Sequence, residues 1–162
     1  MSGVMNLTHP GDLLKKLQHE SALFTDEPSN SYAAINALRD AYHLREWVWK
    51  DRLESDPALQ TKIMGTSGDE AAWNTWVNNN CADFKLVRDV CNGSKHFYPR
   101  PGIQGYESST FSGGARLSDN FKLSDASFYI RDSGGMARGV ADIVSNVETF
   151  WRVKFHDYPE LA

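Results

Sequence analysis

Apolar positions recur at intervals of three and four along most of the chain, the spacing of helices that bury one face. Leu13, Leu14 and Leu17 mark a first short helix, which Asp12 caps or opens. Residues 25–31 are a loop by composition, and Ser29, Asn30 or Ser31 supplies the cap of the second helix. That helix, over residues 32–53, carries Ala34, Ala37, Leu38, Ala41, Leu44, Val48 and Trp49 on a broad apolar face. Arg39, Asp40, Arg45, Glu46 and Lys50 fill much of its other side. Asp56-Pro57 breaks that pattern, and a short helix comes next over residues 58–64. After the flexible Gly65-Thr66-Ser67-Gly68, Asp69 caps a helix holding Ala72, Trp73, Trp76 and Val77. The run Asn78-Asn79-Asn80 favours a turn and ends it.

The next stretch carries the most chemistry. Phe84, Val87, Val90 and Cys91, with Leu86 alongside, form a core-facing stripe. The same element delivers Arg88, Asp89, Asn92, Lys95 and His96 within nine residues. Gly93 is expected to weaken or end this helix, and Tyr98-Pro99-Arg100-Pro101-Gly102 to stop it. From 103 to 135 the texture changes. Glycine and serine are dense, and residues 104–111 and 121–131 carry strand-type side chains on either side of Gly113-Gly114. Gly134-Gly135 closes this part. A last helix is expected from Ala137 to about Phe155, with Val140, Ile143, Val144, Val147, Phe150 and Trp151 at helical spacing, and Asp157-Tyr158-Pro159 ends the fold. The expected fold is therefore one domain over residues 1–162, mainly α. It is a bundle of four to five helices with a small antiparallel β insert, at about 103–135, before the last helix.

Composition narrows the class. A length of 162 residues, 41% apolar and 23% charged, fits one globular domain. The formal net charge of −4 lacks the basic surplus of a dedicated duplex-binding protein, whose affinity comes from counterion release. Five tryptophans are rich for this length, so some aromatic surface is available to a partner. Cys81 and Cys91 fall near the two ends of one expected helix, about 15 Å apart. A disulfide needs less than about 7 Å, so both are read as free thiols of a reducing compartment. No apolar run approaches 18 residues and no charged-then-apolar leader is present, so the chain is expected in the cytoplasm and not in a membrane.

Two segments resemble the HEPN-like helical-bundle superfamily. One runs Ala41-Tyr42-His43-Leu44-Arg45-Glu46-Trp47-Val48-Trp49, the other Leu86-Val87-Arg88-Asp89-Val90-Cys91-Asn92-Gly93-Ser94-Lys95-His96-Phe97. That superfamily is commonly dimeric and occurs in toxins, defence systems and RNA-processing proteins; many members are ribonucleases that need no metal. The resemblance covers residues 30–98 and implies a homodimer acting on RNA in a bacterial or phage conflict system, with no cofactor. The family motif has an arginine, a polar residue beside it, and a histidine with four to six residues between it and the arginine. Here seven residues separate Arg88 from His96, one beyond that range. If catalytic, His96 acts as general base or acid toward the RNA 2′-hydroxyl. Arg88 stabilises charge on the phosphate, and Asp89 or Asn92 orients one of them. Lys95, with His43 and Glu46 one turn apart on the second helix, are candidate binding residues.

The same residues also fit plainer roles. Arg88 and Asp89 suit a solvated helix face, and Asn92-Gly93 followed by Lys95 and His96 suits a helix C-terminus. The alternative function is thus a non-catalytic module that docks another protein through its aromatic faces and β insert. A metal site is not expected, since two ligands do not make one and neither C-x-x-C nor H-E-x-x-H is present. His9, His19 and His156 have no evident partners. Ser108, Ser109 and Ser112 have no histidine nearby in sequence and do not suggest a serine hydrolase.

Overall fold

Six helices and a three-stranded sheet make up the computed structural model, which describes residues 7–96, 103–109, 127–132 and 136–162. The expected stop at residues 98–102, the Gly113-Gly114 and Gly134-Gly135 turns, Ser112, and the outer ends of the two expected strands lie outside the described residues. Helix α1 (Pro10–Asp26) has a proline at its first position, where a missing N–H costs nothing. Asp12 Oδ2 accepts from the backbone N–H groups of Thr8 and His9, at 3.1 and 3.3 Å. Helix α2 (Ser31–Val48) starts at Asn30, whose side chain accepts from Ala33 N at 3.0 Å. α2 runs on into a π-helical turn (Trp49–Leu53), where Glu54 N–H donates to Trp49 O at 2.8 Å, five residues back. Trp49 and Leu53 are both buried, so the wide turn keeps two apolar anchors on the core side.

Helix α3 (Pro57–Met64) is capped by Asp56 and ends at Gly65, whose φ of +81° is left-handed backbone that glycine adopts without a Cβ clash. Helix α4 (Glu70–Asn80) starts under the Asp69 side chain, which accepts from Ala72 N at 2.9 Å. It carries the whole Asn78-Asn79-Asn80 run in its last turn. Helix α5 (Phe84–His96) comes directly after it. Of the two expectations for Gly93, weakening the helix or ending it, the second does not hold, since α5 continues to His96. The cost of a helical glycine is about 1 kcal/mol, small beside the four-residue stripe that α5 buries.

Strands β1 (Ile103–Ser109), β2 (Ser127–Asp132) and β3 (Ala137–Gly139) form an antiparallel sheet in the order β1-β2-β3. β3 replaces the expected start of the last helix. Ala137 and Arg138 pair opposite Arg131 and Ile130, and that ladder overrides the weak strand preference of Ala-Arg-Gly. Helix α6 (Val140–Asp157) then begins directly from extended Gly139.

α1 and α2 form a hairpin, and α6 packs across both and against β2. Trp73, Trp151 and Phe84 are the largest fully buried side chains. The two fully buried indoles each donate their N–H: Trp151 Nε1 to Ala41 O at 3.0 Å, Trp73 Nε1 to Arg45 O at 2.9 Å. These bonds fix α6 and α4 on successive turns of α2. Among the described residues, no helix is long and apolar enough to cross a membrane.

Candidate functional site

The polar side of α5 is positioned by its apolar side. Phe84, Val87, Val90 and Cys91 are buried; the Phe84 ring lies 6.3 Å from Tyr42 on α2 and 6.2 Å from Trp151 on α6. Cys91 Sγ donates to Leu38 O at 3.4 Å. Tyr42 meets the start of α5 and Leu38 its middle, so the two helices run antiparallel.

With no break at Gly93, helical geometry fixes the arrangement of the five polar residues. At about 100° per residue, the α-carbons of Lys95, Arg88, Asn92, His96 and Asp89 fall in one sector of about 120°. The apolar stripe occupies a separate sector of similar width, centred about 140° away. Arg88 and His96 are then about 80° apart around the axis and about 12 Å apart along it.

Arg88 Nε and Nη2 both donate to Asp89 Oδ1, at 3.1 and 3.0 Å. Asp89 is buried, while the Arg88 side chain is 37% exposed. The pair thus shields a buried carboxylate and leaves Nη1 of Arg88 without a partner among the described residues, available to an anion. Asn92 is half-buried in the next turn. Lys95 and His96 belong to the last turn of α5 by backbone; their side chains lie outside the described set.

Among the described residues, α2 meets α5 through Leu38 and Tyr42. His43 pairs with Glu46 on its own helix, Nδ1 to Oε2 at 3.8 Å, and stacks edge-on against Tyr42.

Two polar clusters escape sequence reasoning. In the first, Lys16 Nζ contacts Asp40 Oδ2 at 2.6 Å and Glu20 Oε1 at 3.2 Å, joining α1 to α2. Burial pushes the Asp40 carboxyl up, against the pull of the Lys16 ammonium. Burial also works against the charged form of Lys16, but its bonds to Asp40 and Glu20 prevail and hold its pKa above the usual range. The i,i+4 spacing of Lys16 and Glu20 was the available signal. In the second, Asp83, 4% exposed at its side chain, accepts from Arg138 Nη2 at 2.6 Å and Asn146 Nδ2 at 2.7 Å. Nothing local marks that triad beyond an acidic residue just ahead of a helix.

His9, for which the sequence offered no partner, has Nδ1 3.5 Å from Asp51 Oδ2 in the π-helical turn. Cys81 and Cys91 are both buried and neither is in a disulfide, and burial pushes the Cys81 thiol up to about 11. Among the described residues, no group of three or more His, Cys, Asp or Glu side chains is placed to hold a metal ion. Compared with protein-family models, with curated proteins and with solved structures, the chain matches none of them.

Proposed function

We propose that this chain is a HEPN-like protein that cuts RNA without a metal ion, as a cytoplasmic homodimer in a bacterial or phage conflict system. One observation supports the reading best: an unbroken α5 gathers Arg88, Asp89, Asn92, Lys95 and His96 on one sector of about 120°, centred about 140° from the middle of the buried stripe. Arg88, steadied by Asp89, holds the scissile phosphate with its remaining donors. His96 accepts the proton of the 2′-hydroxyl or delivers one to the leaving 5′-oxygen. The products are a 2′,3′-cyclic phosphate and a free 5′-hydroxyl.

The test is incubation of purified chain with end-labelled single-stranded RNA in excess EDTA. Cutting with cyclic-phosphate ends is expected, slowed about 100-fold or more by His96→Ala and by Arg88→Ala. Intact RNA, or a His96→Ala variant as active as the parent, rejects the reading. A second reading, a non-catalytic protein-docking module, draws on the Arg88–Asp89 bond, which already satisfies part of the guanidinium on its own helix. That reading expects intact RNA.

A further inference from the structure

We propose that a groove between the α4–α5 link and α6 binds one unstacked base of single-stranded RNA; the proposal rests on the RNA reading above and adds a second contact to it. The groove has a volume of about 390 Å³, within the range of small-ligand sites. Asn80, Asp83, Asn146, Thr149, Phe150 and Lys154 contribute to its walls.

Its charges are arranged in an unusual way for a chain of net charge −4. The carboxylate of Asp83 is already closed off by Arg138 and Asn146. Lys154 has no carboxylate partner among the described residues, and its ammonium sits 5.4 Å from the Trp76 ring and 5.9 Å from the Phe150 ring. Among the described residues the groove therefore offers one cation without a carboxylate partner, above a wall to which the largely buried Phe150 contributes, with Trp76 behind the cation and outside the groove. A nucleotide would be held there by its phosphate on Lys154 and by its base packed in the groove.

The remaining groups suit a base edge. Asn80 donates its Nδ2 to Trp76 O at 2.8 Å, and Asn146 donates its Nδ2 to Asp83. Both amide oxygens and the Thr149 hydroxyl have no acceptor or donor partner among the described residues. They present acceptors and a donor to the edge of an unpaired base, the way single-stranded RNA is read. An acidic peptide would bring several carboxylates to a groove with one free cation, and fits less well. Asp83 lies five residues before Arg88, about 7.5 Å along the helix axis and about 140° around it, so a strand that occupies both places wraps partly around α5.

The experiment measures anisotropy of a labelled 2′-O-methyl hexauridylate, which lacks the reacting hydroxyl, with the full chain in EDTA. Lys154→Met keeps the apolar stem and Thr149→Trp fills the groove from an exposed position. Each is expected to weaken binding about tenfold, and an oligomer abasic throughout is expected to bind about tenfold more weakly to the parent chain. Wild-type affinity in both variants, no binding of the oligomer, or equal displacement by a polyglutamate peptide overturns the groove. If RNA is cut with an unchanged KM in both variants, the groove fails and the ribonuclease reading stands. If the variants lose binding while RNA stays intact, the groove stands and the cleavage reading fails.

Discussion

At the scale of single residues, burial decides which polar groups remain reactive. Cys81 is 6% exposed and its thiol stays protonated near neutrality, so a neutral-pH alkylating reagent should modify it far more slowly in the folded chain than in urea. The same shift has a stability consequence. Folding raises the thiol's pKa from 9.0 to about 11, so the folded state holds this proton more tightly. The resulting stability is fully present below about pH 9 and is lost as pH rises toward 11. Urea denaturation across that window should show a flatter decline for Cys81→Ala than for the parent; parallel declines would refute it. Cysteine spacing was enough to read that the two are not joined in a disulfide. It carried no information on how strongly the surroundings of Cys81 suppress ionisation, because those belong to neighbours supplied by the fold.

At the scale of elements, periodicity was most informative where burial is one-sided. Phe84, Val87, Val90 and Cys91 announce α5, and Ala34, Leu38, Ala41 and Leu44 announce α2. Boundaries set by distant partners were not legible. Ala-Arg-Gly has no strand character, and β3 exists because β2 offers it a ladder. Gly93 reads as a weak point or an end, and α5 passes through it. In a helix interior a glycine is less stable than alanine, so Gly93→Ala should raise the unfolding free energy by about 0.5 kcal/mol in a urea titration. A loss of stability instead would show that the backbone at this position is not helical in solution. Either result also bears on the site, since the shared sector of Arg88, Asn92 and His96 depends on that continuity.

At the scale of the whole molecule, the side chains of α5 were visible in the sequence, but the device that anchors its start was not. Asp83 and Arg138 are 55 residues apart, and only the folded chain places them together. That pair, with Asn146, ties the α4–α5 link to β3 and to α6. Asp83 is buried but the Arg138 side chain is 35% exposed and regains water when the carboxylate is removed, so Asp83→Ala should cost about 2 kcal/mol of unfolding free energy, and Asp83→Asn, which keeps the shape and one acceptor, less. Equal stability of Asp83→Ala and the parent chain would show that the clamp contributes nothing. The π-helical turn at Trp49–Leu53 has a consequence of a different kind, in the lineage of the chain. A turn of this kind houses one residue more than an α-turn, which is how a single-codon insertion is accommodated within a helix without moving either flank. A relative lacking that residue would form an ordinary α-turn there with α3 in the same orientation, so length variation at residues 49–53 is a mark by which branches of this lineage would be told apart.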